Sequence, residues 1–204
     1  KCLAVVGDDK GELSRMFVGS QRFVVHYRAD GTLVKRWPEL SEKSVFTAIA
    51  VGVNDVFVAD AGQSVIVRYD MNGKLLGRIG ERIPGRETPG FVIPSPYFDF
   101  TINSDETLSI VNPGARRIES YSFDGELQSF WGNTGTKISD FFGCCNPSHL
   151  ARLGDGRFVT SEKGIPRIKI YTQDGDFESV VADPQGLEIP ASAIGDARSG
   201  QTKR

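Results

Sequence analysis

Alternating apolar and polar residues, interrupted by tight turns, run through most of this chain. Four segments share one pattern: FVVHYRADGTLVKRW, VIVRYDMNGKLLGRIG, RIESYSFDGELQSFWG and RIKIYTQDGDFESVVA. A period of two marks strands with one buried face, and a central Asp-Gly or Asn-Gly marks a hairpin turn. The tyrosines (Tyr27, Tyr69, Tyr121, Tyr171) and the turn glycines (Gly31, Gly73, Gly125, Gly175) advance together from repeat to repeat. Two anchors keeping register four times make this an internal repeat.

A second strand pair is predicted upstream of each hairpin. The pairs are Phe46 to Gly52 with Asp55 to Asp60, Phe98 to Asn103 with Thr107 to Asn112, and His149 to Gly154 with Arg157 to Glu162. The first repeat matches more loosely, through Leu3 to Gly7 and Met16 to Ser20. Four strands per roughly 40–50 residues is the sheet unit of a propeller blade. The expected fold is therefore all-β, with four four-stranded antiparallel blades at about 1–38, 45–80, 98–132 and 149–182. Residues 184–204 hold small and polar residues and no aromatic, and are expected to be a loop or tail, or to lead into a missing blade. A chain that opens on Lys1 and enters a strand at once is expected to be a processed form or a fragment.

The run VFVADAGQSVIVRYDMNGKLLGRIG (56–80) and its cognates resemble the NHL-repeat family of β-propellers, over about residues 1–183. That resemblance implies a six-bladed ring, of which four blades are visible here. From Gly90 to Ala182, the runs GFVIPSPYFDF, FFGCCNPSH and RFVTSEKGIPRIKIY look closer to bacterial NHL-repeat proteins with a GCCNP loop. This likeness brings fold rather than activity, and with it the expectation of a bacterial periplasmic or extracellular setting.

Strand order places two sets of connections on opposite faces of such a disc. The links between first and second strands, and the hairpin turns, are short. Those on the other face include two long blade-to-blade links, about Glu81 to Tyr97 and Asn133 to Ser148. Long loops on a rigid scaffold are where function concentrates, so the site is expected on that face.

The second long link holds Cys144 and Cys145, with His149 four residues beyond the latter. Thiolate and imidazole suit a soft transition metal, and the thiolates an iron–sulfur cluster. Yet adjacent cysteines depart from the usual two-to-four-residue zinc spacing. A disulfide between neighbours is strained, because adjacent Cα atoms are only ~3.8 Å apart. Reduced thiols packed in a loop are the third reading. Cys2 is the odd thiol, suited to a core strand or to a partner outside this chain.

Glu162, Lys163 and Arg167 fall on the same face, and the two cations are candidate receivers of an anionic ligand or carboxylate. Arg116 holds the matching place in the third repeat, after Asn112. A solvated turn with a local ion pair is the plainer reading of both. Asp60, with Gly62 and Gln63, is expected to tie its turn through backbone hydrogen bonds, as the NHL resemblance implies. Pro84, Pro89, Pro94 and Pro96 stiffen the first long link, and Phe91, Tyr97 and Phe98 add apolar weight. His26 alternates in a strand and is expected to be a packed strand residue.

Composition narrows the classes. With 24 Lys+Arg against 26 Asp+Glu, the net charge of −2 disfavours a nucleic-acid binder. No apolar run approaches the ~18 residues of a membrane-spanning helix. Two histidines, no HExxH and no GxSxG leave a propeller lyase or hydrolase poorly equipped. The expected function is a binding scaffold for a protein or small ligand. The alternative is a metal- or redox-active propeller centred on the cysteine pair, and an open ring would favour self-association through its sheet edges.

Overall fold

The computed structural model describes residues 1–81 and 90–187, and it contains strands and no helix among them. No described helix is therefore long and apolar enough to cross a membrane. Pro84 and Pro89, and the tail from 188 onward, lie outside the described residues.

Four antiparallel sheets of four strands each form the blades of a β-propeller. The first holds β1 (Cys2–Gly7), β2 (Leu13–Ser20), β3 (Phe23–Arg28) and β4 (Leu33–Arg36). The second holds β5 (Phe46–Val51), β6 (Asp55–Asp60), β7 (Val65–Asp70) and β8 (Leu75–Ile79). The third holds β9 (Phe100–Ile102), β10 (Thr107–Asn112), β11 (Arg117–Ser122) and β12 (Leu127–Trp131). The fourth holds β13 (His149–Arg152), β14 (Phe158–Glu162), β15 (Arg167–Tyr171) and β16 (Phe177–Ala182). In every sheet the spatial order is the sequence order, so each blade is a plain meander. Contacts between blades run along the first strands, from β1 to β5, β5 to β9 and β9 to β13, which puts these strands innermost.

The hairpin turns are longer than a two-residue loop. Gly31 N donates to Arg28 O at 3.0 Å, and Gly73, Gly125 and Gly175 repeat this bond. Each of these glycines has φ between 82° and 88°, and each hairpin shifts register at its tyrosine. The arrangement is a type I turn followed by a left-handed glycine and a bulge. Space as well as φ requires glycine at two of them. A methyl group on Gly73 would fall within the Trp37 ring, and one on Gly175 within the Trp131 ring. Each tryptophan ends one blade and seats under the turn of the next.

Burial follows the strand alternation. Tyr69 pairs with Val56 and Val56 with Val51, while Val67 pairs with Val58 and Val58 with Ile49. These residues form one face of the second blade, packed on Phe17, Val24 and Trp37 of the first. Phe100, Leu108, Ile110 and Tyr121 of the third blade likewise cover Phe57, Ala59, Ile66 and Ile79 of the second. Leu150, Phe158 and Tyr171 of the fourth cover Val111 and Ile118 of the third. The same face of the first blade carries Leu3, Val5, Met16, Val18, Val25 and Tyr27, read off by the same register. No described element covers it as the other three are covered: Leu3 and Val5 are each 60% exposed.

Candidate functional site

The links on one face of the disc are fastened by buried polar side chains near the ends of the second strands. Backbone groups of a loop brought against a sheet must find partners, and these side chains supply them. Asp60 Oδ1 accepts from the amides of Val45 (2.8 Å), Gly62 (3.0 Å) and Gln63 (3.3 Å). The expected turn-tying role of Asp60 thus extends across to the incoming link at Val45. In the third blade Asn112 accepts from Val92 N at 3.0 Å and donates to the buried Glu119 at 2.9 Å. In the fourth, the tie comes from the incoming link: Asn146 Oδ1 accepts from Lys163 N and Asn146 Nδ2 donates to Lys163 O, both at 2.8 Å.

Glu162 does not tie the link in this way, because two cations hold its carboxylate. Arg167 Nη2 lies 2.6 Å from Oε2, and Lys169 Nζ lies 2.6 Å from Oε1. All three residues are buried. Glu162 and Arg167, candidates for an exposed anion-binding turn, therefore neutralise each other beneath the surface. Lys169 also donates to Asp140 O at 2.9 Å and Ile138 O at 3.2 Å. Burial lowers its pKa, and the Glu162 contact works against that shift.

Arg116 and Lys163 stay at the surface layer. Arg116 has φ of 56°, and its Nε donates to Gly143 O at 2.7 Å, bracing the cysteine loop from the neighbouring turn. Lys163 Nζ donates to Ser95 Oγ at 3.0 Å and sits 4.1 Å above the centre of the Tyr97 ring. Tyr97 carries the apolar weight expected of its link, whereas nothing in the repeat pattern points to Ser95; both lie in the irregular link before the third blade.

Cys144 is exposed and Cys145 buried, and both are free thiols with their sulfurs 3.3 Å apart. Burial would raise the Cys145 thiol, yet Ser95, Cys144 and the Lys163 ammonium outweigh it and bring the pKa below the ordinary thiol value. His149 points elsewhere: its Nδ1 lies 3.2 Å from Ser148 Oγ, and its ring meets Tyr97 edge-on at 6.0 Å. Among the described residues no three His, Cys, Asp or Glu side chains gather as a metal-binding group. The third thiol, Cys2, is half-buried on β1, and burial raises its pKa to about 11.

A cleft of about 310 Å³ opens beside this cluster. Val45, Ala61, Ile93 and Pro96 form apolar walls, and Ser95, which also lines the cleft, contacts Lys163 and Cys145.

By sequence, no protein family and no curated protein matches the chain. Its fold does have solved counterparts. Virginiamycin B lyase from Staphylococcus aureus matches with a TM-score of 0.60 and 16% identity, over 93% of this chain and 56% of the lyase. A protein of unknown function from Bacteroides caccae matches at 0.56 and 13% identity, over 93% of this chain and 74% of that one. Kuenenia stuttgartiensis hydrazine synthase matches at 0.58 and 14% identity, over 88% and 47%. The chain is similar to propeller proteins. It spans about half the length of the lyase and the synthase. Identity this low carries the architecture and not the NHL family or an activity.

Proposed function

We propose that this chain is a binding module that presents its link face to a protein or small ligand. The observation behind this reading is the cleft, whose apolar walls include a single hydroxyl, Ser95, which in turn accepts from the Lys163 ammonium. Few, well-placed polar groups at the end of an apolar concavity are the usual make-up of a ligand site. Asp60, Asn112 and Asn146 fix the loops that form this face, which limits the ordering cost of binding. The chemistry suits an apolar group carrying a carboxylate, as in a small acid or a peptide C-terminus. Lyase activity belongs to the name of the Staphylococcus aureus neighbour, and nothing in that likeness transfers it here.

Ligand-observed NMR with apolar carboxylic acids and short C-terminal peptides tests the reading. Binding to the wild type that is lost in V45E and K163E is the expected result. Absence of binding, or binding indifferent to both changes, overturns it.

The uncovered apolar face of the first blade supports a related proposal, that a further blade of the same architecture seats there and helps close the ring. Its chemistry matches that of the faces the other three blades bury. Concentration-dependent dimers of this chain, abolished by V18E, would assign the face to a second copy instead.

A further inference from the structure

We propose that Cys144 and Cys145 form a redox-active vicinal dithiol, closed to a disulfide by thiol–disulfide exchange with a small-molecule disulfide and reopened by small thiols. This inference does not depend on the binding role proposed above.

The geometry separates the two sulfurs by task. Cys144 is exposed, so an incoming disulfide RS–SR meets its sulfur first. Cys145 is covered and lies 3.3 Å away, too close for a bulky reagent to pass between and well placed to act second. In the first step the Cys144 thiolate attacks one sulfur of RS–SR. The Cys144–SR bond forms, the RS–SR bond breaks, and one RS⁻ leaves and takes up the proton given up by Cys144. In the second step the Cys145 thiolate attacks Cys144 Sγ, expelling the second RS⁻, which takes up the proton from Cys145. Two cysteine thiols are oxidised to one disulfide, and RS–SR is reduced to two RSH.

The surroundings favour the second step. Ser95 and Lys163 border Cys145, so the nucleophile that must act from within is accompanied by a hydroxyl and a positive charge. The loop is held on both sides of the pair, by Arg116 at Gly143 O and by Asn146 across to Lys163. Closure then needs local movement of the two side chains and their shared peptide, from 3.3 Å to the ~2.05 Å of a disulfide bond. Adjacent Cα atoms lie ~3.8 Å apart, below the usual span of a disulfide, so the ring is strained. Strained, surface disulfides are the readily reduced ones, the property of a reversible couple rather than a structural staple.

The test treats the folded, reduced protein with oxidised glutathione, quenches with acid and maps the tryptic peptide ISDFFGCCNPSHLAR by mass. The expected product is this peptide lighter by two hydrogens, restored by dithiothreitol and formed with two equivalents of glutathione released. C144S cannot close the ring, and K163M slows closure so that the glutathione adduct on Cys144 accumulates before the disulfide appears. The peptide carrying Cys2 serves as an internal control. A peptide that stays reduced, that stops at the glutathione adduct in the wild type, or that links to Cys2 overturns the proposal. Urea unfolding of C144S and K163M confirms that a lost reaction is not a lost fold.

Discussion

The seam between the first two blades and the seam between the last two use one repeat position in opposite ways. Two residues before each repeat tyrosine stand Val25, Val67, Glu119 and Lys169. Val67 packs among Val58, Ile49 and Phe17 in a dry seam. Lys169 is equally buried, but it faces Glu162 and the carbonyls of Ile138 and Asp140. The difference follows from the neighbouring link. The chain between the first two blades is short, whereas the loop from Gly132 to Ser148 lies over the fourth blade and brings backbone carbonyls that need donors. A valine offers none. Lysine there, with Tyr171 donating to Ser139 O at 2.8 Å, fastens that loop to the sheet.

Exchanging the chemistry between the seams gives the largest effect. Val67→Lys places an ammonium in the dry seam with no carboxylate, and cooperative unfolding in urea is expected to be lost. Glu162→Ala removes the counter-charge from two buried cations, and a loss of about 3–5 kcal/mol is expected from the urea midpoint. Replacing Glu162 and Lys169 together by Met leaves one uncompensated buried cation, Arg167, instead of two. That double variant should lie closer to wild type than Glu162→Ala, measured in the same titration. Val25→Lys puts the charge of Val67→Lys on the uncovered face, and should change stability of this chain by less than about 1 kcal/mol. If Val25→Lys proves as damaging as Val67→Lys, the first blade's face is covered in solution.

The smallest effect is expected from pH. His26 stacks on Phe17 with ring centres 4.4 Å apart, and burial, then Arg15, lower its pKa. The folded state therefore binds this proton less readily than the unfolded chain. Stability from the neutral ring is complete above the unfolded value of about 6.5 and declines as pH falls through it. Thermal unfolding midpoints should fall between about pH 7.5 and about pH 5.5, and His26→Phe should flatten that decline.

Blade and strand positions were legible because each strand alternates in register with an anchored tyrosine and glycine. The predicted strand pair Asp55 to Asp60 and the preceding run from Phe46 coincide with β6 and β5 to within a residue. The site was legible in part. The alternation places Glu162 at a strand end but does not show which side of the sheet its carboxylate faces, nor that Lys169 lies beside it. A charged residue at a position held elsewhere by valine was the available signal for Lys169 and Glu119, and it marks a buried pair. Tyr97 was visible only as an aromatic in a proline-stiffened link, and Ser95 left no trace, since an irregular link has no periodicity to break.

Trp37 and Trp131 belong to one blade by sequence and to the next by packing, each lying against a glycine turn that a side chain would displace. A unit that could be transplanted or duplicated intact therefore does not coincide with a sheet. Its cut points fall before the tryptophan and after the turn that receives it, so a graft of the fourth sheet must bring Trp131 along. Moved without that residue, the sheet would arrive with an empty socket under Gly175, and the joint would be weak however well its strands formed.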